Sequence, residues 1–475
     1  MARSRTRKAT RLPKRPTKRF CQEYADLEGL RIVHPHAAGI DIGGALSHFV
    51  AIEIRPGVIE VREFGCNTND LYALRDYLRA HGITTVALES TGVYWIPLYD
   101  ILTEAGFEVF LVNPSHVKNV PGRRKDDKLD CKWLLKLHTY GLLSASFRPS
   151  AEILPLRTFW RLRLQLVQLQ ADEIRRMQKA LDEMNIRVHK VMSDLVGVTG
   201  RAIITAILQG ERRPEVLATY RDCRLACSEE ELREALTGHY RPEKVFQLKQ
   251  AYERYQQYQQ QITDCDTEVE VLLKMLIPLD DDDIAAKVQQ ASQPHKRTAS
   301  QLRRHLPTYD LGQYLELLLG VDATTQPGLG PILVMTVVSE LGVDMSPWPT
   351  VKHFGSYLTL APHHQISGGK ILSNKTRKGA QRAALAFRQA AATVAKTDTA
   401  LGAFYRRLAL RVGSAKALVA TAYKIARIYY YLLKEGRAYV DQGAAAYEEK
   451  YRAQQLKSLE RHAKSLGCQV IPIAA

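Results

Sequence analysis

A chain of 475 residues with 45% hydrophobic and 25% charged residues has the balance of a globular protein, which excludes wholesale disorder and is long for a single core. A formal net charge of +17 and a pI near 9.5 point to a polyanionic partner, nucleic acid ahead of a membrane surface, and away from neutral metabolites. Seven scattered cysteines, an odd number, argue against a disulfide framework and for a reducing, cytoplasmic setting. The one close pair, Cys223 and Cys227, lacks the second pair or nearby histidine that zinc requires. The best apolar stretch, from Pro331 to Val343, is interrupted by Glu340, so no membrane span and no membrane partner are expected.

Residues 1–36 are a basic arm, dense in Arg and Lys from Arg3 to Arg19, with no apolar segment of the secretory kind. Such an arm either lies along phosphates or only solubilises the chain. Over 37–150 short β-rich runs (GIDIGG, HFVAIEI, VIEVREF, TTVALES, FEVFLVN) alternate with helical stretches. The first strands are close enough for antiparallel hairpins and the later ones are separated by helices, so a mixed α/β sheet flanked by helices is predicted. Over 151–304 two amphipathic helices, Leu156 to about Met192 and Pro242 to Leu276, are expected to pair as an antiparallel coiled coil around a small helical insert at 193–241. The acidic run Asp280 to Asp283 and the polar stretch to 303 read as linker. Residues 305–450 form a mainly α-helical C-terminal domain ending in a basic, aromatic helix around Tyr423 to Leu433, and 451–475 a tail.

Asp41 lies within the apolar run GIDIGG, where a buried carboxylate needs compensation, and Glu89 ends the strand-like TTVALES. In GRRKDDKLDCKWLLKL, Asp127 and Asp130 are three apart at a helix start and share one face. Four acids on two strands and a helix make an oxygen-only cage suited to hard divalent ions, Mg2+ above all, of the kind that makes a phosphodiester reactive. Arg123, Arg124, Lys125 and Lys128 would hold the DNA backbone beside it. The plainer reading of Asp-x-x-Asp is N-terminal capping. GIDIGG also resembles the opening turn of sugar kinases and actin-like ATPases, although no second glycine-rich phosphate turn follows.

Gly328 and Gly330 precede an apolar helix, either as a phosphate-holding turn or as a simple helix connection. In FGSYLTLAPHHQISGGKILSNKTRKGAQR, Ser367 stands before two glycines among Lys370, Lys375, Arg377, Lys378 and Arg382. A hydroxyl there can approach a phosphorus closely, with cations to stabilise the developing charge. By composition alone Ser367 is an ordinary loop serine, with Ser356 and Ser373 nearby.

Taken in order, GIDIGGALSHFVAIE, VALESTGVYWIPLYDIL with LVNPSHVK, KDDKLDCKWL and YLTLAPHHQISGGK resemble the DEDD-type insertion-sequence transposases of the IS110 family, over about residues 37–143 and 322–435. The resemblance implies an RNase H/RuvC-like domain whose acidic quartet falls on Asp41, Glu89, Asp127 and Asp130, and a nucleophilic serine at Ser367. Where the family has Lys-Thr-Asp, this chain has Lys125-Asp126-Asp127, and Ile366 stands where relatives often carry a second serine. The resemblance further implies cleavage and rejoining of donor and target DNA in a prokaryotic cytoplasm, guidance by a structured RNA from the same element, and assembly as a dimer or tetramer through the coiled coil. A metal-only junction nuclease and a nonenzymatic nucleic-acid-binding protein are the alternatives.

Overall fold

A computed structural model describes residues 31–113, 127–290 and 306–471, apart from positions 45, 91, 378, 380, 437 and 438. Two compact units divide at Arg148 and Pro149.

The first unit is built on a five-stranded sheet ordered β3-β2-β1-β4-β5. Strands β1 (Ala37–Ile42), β2 (Ser47–Arg55) and β3 (Val58–Gly65) are antiparallel neighbours, while β4 (Thr85–Glu89) and β5 (Glu108–Val112) run parallel to β1, as the connection lengths predict. Period-two alternation assigns the faces. Ile40, Ile42, Val50, Ile52, Val86 and Leu88 form one core with α1 (Thr68–Ala80) and α2 (Trp95–Glu104), whose Leu74, Leu78, Leu98 and Leu102 are fully buried. The opposite face presents small side chains, Ala37, Gly39, Ala51 and Ala87, and α3 (Asp127–Thr139) lies close over it through Cys131, Leu134 and Leu135.

In the second unit, α4 (Ile153–Glu183) and α8 (Pro242–Leu276) pair antiparallel, with Arg163 bonded to Asp266, Leu166 packed with Ile262, and Gln170 bonded to Gln259. The first helix ends at Glu183 instead of about Met192, because the chain turns out through Asn185 at φ 60°. The seam is partly polar: Arg163, Gln170, Glu173 and Asp266 are buried, whereas Leu162, an apolar residue at helical spacing, is exposed. The insert, α5 (Val198–Leu208), α6 (Pro214–Ala218) and α7 (Glu229–Leu236), closes a core over the end of α4 and the start of α8. Asp281–Gln290, within the stretch read as linker, is helix α9, with the Asp280 carboxylate accepting from the Asp283 amide and Ile284 buried.

The C-terminal helices are α10 (Leu311–Leu319), α11 (Pro331–Leu341), α12 (Val351–Tyr357), α13 (Arg382–Val394), α14 (Ala400–Val412), α15 (Ser414–Glu435) and α16 (Gly443–Ser465). Helix α16 runs across position 450, into the stretch expected as tail. Phe354, Phe387, Tyr429 and Tyr430 form an aromatic core. The start of α4 is tied to α11: Trp160 Nε1 donates to Thr336 Oγ1 at 3.0 Å, and the Arg161 guanidinium makes two 2.7 Å bonds to the Glu340 carboxylate. Between α12 and α13 a small hairpin, β6 (Gln365–Ser367) with β7 (Lys370–Ser373), stands out from the helices.

Candidate active site

Asp41 and Glu89 occupy equivalent places on adjacent parallel strands. Ile40 pairs with Leu88 across β1 and β4, and each acid is the next residue along. Both side chains therefore point to the face that α3 covers, since Gly39 meets the α3 backbone and Thr85 bonds to it. They are 7% and 5% exposed, respectively. The Cys131 thiol on α3 is pushed up to about 12, chiefly by burial and further by the negative charge of Asp41, which ties that carboxylate to the same helix.

The direction of α3 follows from its far end. His138 Nε2 lies 2.9 Å from Thr85 Oγ1, at the opening residue of β4. The Thr85 hydroxyl proton goes to the Glu108 carbonyl, so His138 Nε2 is the donor. His138 also packs against the rings of His34 and Phe110. With the C-terminal end of α3 pinned over the start of β4, its N-terminal end lies over the strand ends. From Thr85 to Glu89 the strand advances about 13 Å, and from His138 back to Asp130 and Asp127 the helix advances about 12 to 16 Å. The helix turn that bears Asp127 and Asp130 thus lies toward the strand ends that carry Asp41 and Glu89, with Asp130 half-buried and Asp127 exposed. Among the described residues, no three His, Cys, Asp or Glu side chains stand close enough together to hold a metal ion as placed. Lys128 is exposed on the same helix turn, and Arg123, Arg124 and Lys125 lie outside the described residues.

What composition and spacing did not mark is the apparatus that sets this geometry. A Cβ on Gly39 would stand 2.3 Å from the Leu135 amide nitrogen and 2.5 Å from the Cys131 carbonyl oxygen. Only glycine lets the acid-bearing helix lie so close. The signal was present in the Ala-Ala-Gly stretch beside Asp41, where large residues would be usual for a buried strand. The Thr85–His138 anchor had no such signal.

In the second unit Ser367 is the last residue of β6 rather than a loop residue. It pairs with Lys370 across a two-residue turn made by Gly368 and Gly369, whose φ values of 55° and 75° define the mirror-image turn that fits strand twist. Ser367 and Lys370 are exposed and share one face of the ribbon. Lys375, Arg377 and Arg382 are exposed on the following segment, while Lys378 is outside the described residues. Gly328 serves packing: a Cβ there would meet the Ala390 carbonyl oxygen at 2.5 Å, so its role is the close approach of α13, and Gly330 caps α11 ahead of Pro331.

A family model described as "Transposase" matches residues 38–186, and one described as "Transposase IS116/IS110/IS902 family" matches residues 323–406. The chain belongs to the IS110-family transposases. Its sheet is thus the RNase H-like DEDD domain of that family, and the first match extends through α4. The second match spans α11, α12, the serine hairpin and α13. No curated protein matches the chain. Membership implies DNA as substrate and, for a DEDD nuclease, a divalent metal. Among the described residues, no helix of the transposase is long and apolar enough to cross a membrane.

Proposed function

We propose that the transposase cleaves and rejoins the DNA of its own insertion sequence by two cooperating groups: a carboxylate site made by Asp41, Glu89, Asp127 and Asp130, and the hydroxyl of Ser367. The observation that carries the first is the pairing of two buried acids at equivalent ends of adjacent strands, facing the turn of α3 that bears the other two. The donor set is all oxygen, which fits Mg2+. Bound there, Mg2+ would supply charge stabilisation at the phosphate under attack.

The second group rests on the exposure of Ser367 beside Lys370 at the head of a cationic hairpin. Its Oγ attacks phosphorus, a P–Oγ bond forms, and the bond from phosphorus to the adjoining nucleotide oxygen breaks. The serine proton ends on the released hydroxyl. A hydroxyl from another strand reverses the exchange, so the number of phosphodiesters is conserved and no external energy source is needed. Lys370 opposes the charge that builds on the phosphate, while Lys128, Lys375, Arg377 and Arg382, with Arg123, Arg124, Lys125 and Lys378, hold strand backbones.

The working division is an arm at 1–36, the carboxylate domain at 37–150, the helical region at 151–304, the serine domain at 305–450 and a tail at 451–475. A structured RNA guide and a dimer or tetramer complete the reading. The charge of +17 supports the first, since a duplex held by its backbone asks for cations more than for base-reading side chains. Sequencing the nucleic acid that copurifies with the full chain tests it: one discrete structured RNA is expected.

The experiment for the chemistry is a denaturing gel of the full chain reacted with the ends of its element. A DNA–protein adduct that disappears in Ser367→Ala supports the covalent route. Cleavage without adduct in the unaltered chain overturns it in favour of a metal-only junction nuclease.

A further inference from the structure

The serine hairpin has a second face that the chemistry above does not use. Ser367 and Lys370 form the pair that closes the turn, and Ile366 pairs with Ile371 one step back, so the two isoleucines share the opposite face of the ribbon. Both are open to solvent, at 64% and 57%, and Leu372, the extra residue at the bulge of β7, is 69% exposed. Three aliphatic side chains at the tip of a two-stranded ribbon cost apolar exposure without contributing to any core.

Charge identifies what covers them. Between Asp344 and Asp398 the chain contains no acidic residue, while it carries eight Lys and Arg. A protein surface meeting such a stretch would be acidic, and three aliphatic side chains at a ribbon tip fall short of a stable subunit contact, which buries roughly 1,200 Å2 or more. A polyanion with apolar surface between its charges fits both properties, and that is the chemistry of nucleic acid: phosphates outside, base faces within. A two-stranded ribbon enters a duplex groove, and aliphatic side chains are known as wedges between base steps.

We propose that the Ile366–Ile371 face is a wedge that packs on unstacked DNA bases beside the phosphate that Ser367 attacks. The proposal rests on the serine reading. With one face on bases and the other turned outward, the two-residue turn sets the serine hydroxyl a fixed distance from the opened step. Opening that step bends the backbone there and presents the phosphate to the hydroxyl.

The test uses the full chain with its copurifying RNA and a duplex of the element's end carrying 2-aminopurine on either side of the cleavage position. Unstacking raises the fluorescence of this base. A rise is expected with the unaltered chain and with Ser367→Ala, and a flat signal with the double variant Ile366→Ser, Ile371→Ser under conditions where a gel shift shows the DNA bound. The hairpin is exposed, so the double variant leaves the helical cores untouched. An equal rise in the double variant overturns the wedge, as does a flat signal with the unaltered chain. A change in molar mass of the double variant without nucleic acid, read by light scattering, also overturns it, in favour of a second copy covering this face. If the adduct persists in Ser367→Ala, the serine reading fails while the fluorescence still decides the wedge.

Discussion

Replacing Gly39 by alanine adds one methyl group, yet it reaches the acids through the helix that carries two of them. The added carbon would stand 2.3 Å from the Leu135 nitrogen and 2.5 Å from the Cys131 oxygen, both backbone atoms that no rotamer change can move. Ordinary contact begins at 3.4 Å, so α3 must lift by about 1 Å at its centre. Overpacking of this kind costs roughly 1–3 kcal/mol of stability. The larger effect is on chemistry, because a misplacement of about 1 Å between reacting groups costs on the order of 100-fold in rate. Strand cleavage by Gly39→Ala is therefore expected to fall about 100-fold, measured as single-turnover cleavage of the element's end at a temperature where circular dichroism shows the variant folded. A folded Gly39→Ala that cleaves at the parent rate would show that the distance of α3 from the sheet does not set the position of the acids.

Asp41→Asn removes one carboxylate of the oxygen donor set; added Mg2+ should raise the unfolding temperature of the parent and leave that of the variant unmoved, read by thermal melts with and without the ion. His138 is held down to about 4, below its ordinary 6.5, by burial and by neighbouring His34, and its Nδ1 has no hydrogen-bond partner to receive a proton's charge. The unfolded chain thus takes up a proton at higher pH than the folded one, so the first unit keeps full stability above pH 6.5 and loses up to about 3 kcal/mol as pH falls toward 4. Urea titrations across that range should show the slope in the parent and a smaller one in His138→Gln. Burial holds the Asp266 carboxyl above its usual range even with the Arg163 guanidinium bonded to it, so desolvation outweighs attraction in this pair. Asp266→Ala alone should cost about 3–5 kcal/mol and the double change Arg163→Met, Asp266→Leu little or nothing; equal losses by urea unfolding would refute the ledger.

Much of this molecule was readable from local pattern. The sense of the strands followed from connection lengths and the two paired helices from their spacing. These are short-range properties, and each is written within a window of one element. The end of α4 and helix α9 were misread because their deciding features, a left-handed Asn185 and a buried Ile284, depend on neighbours. The polar seam escaped for the same reason: Arg163 and Asp266 look like surface residues until each is the other's partner, 103 positions apart.

Folding alone decided how the candidate groups are held. That Gly39 is a seat for α3, that His138 pins its far end to Thr85, and that Ser367 faces Lys370 across a glycine turn are facts of packing and register. An amino-acid string specifies which side chains exist and their local periodicity, but which atoms meet is settled by close packing among distant segments, where shifts of an ångström change the energy.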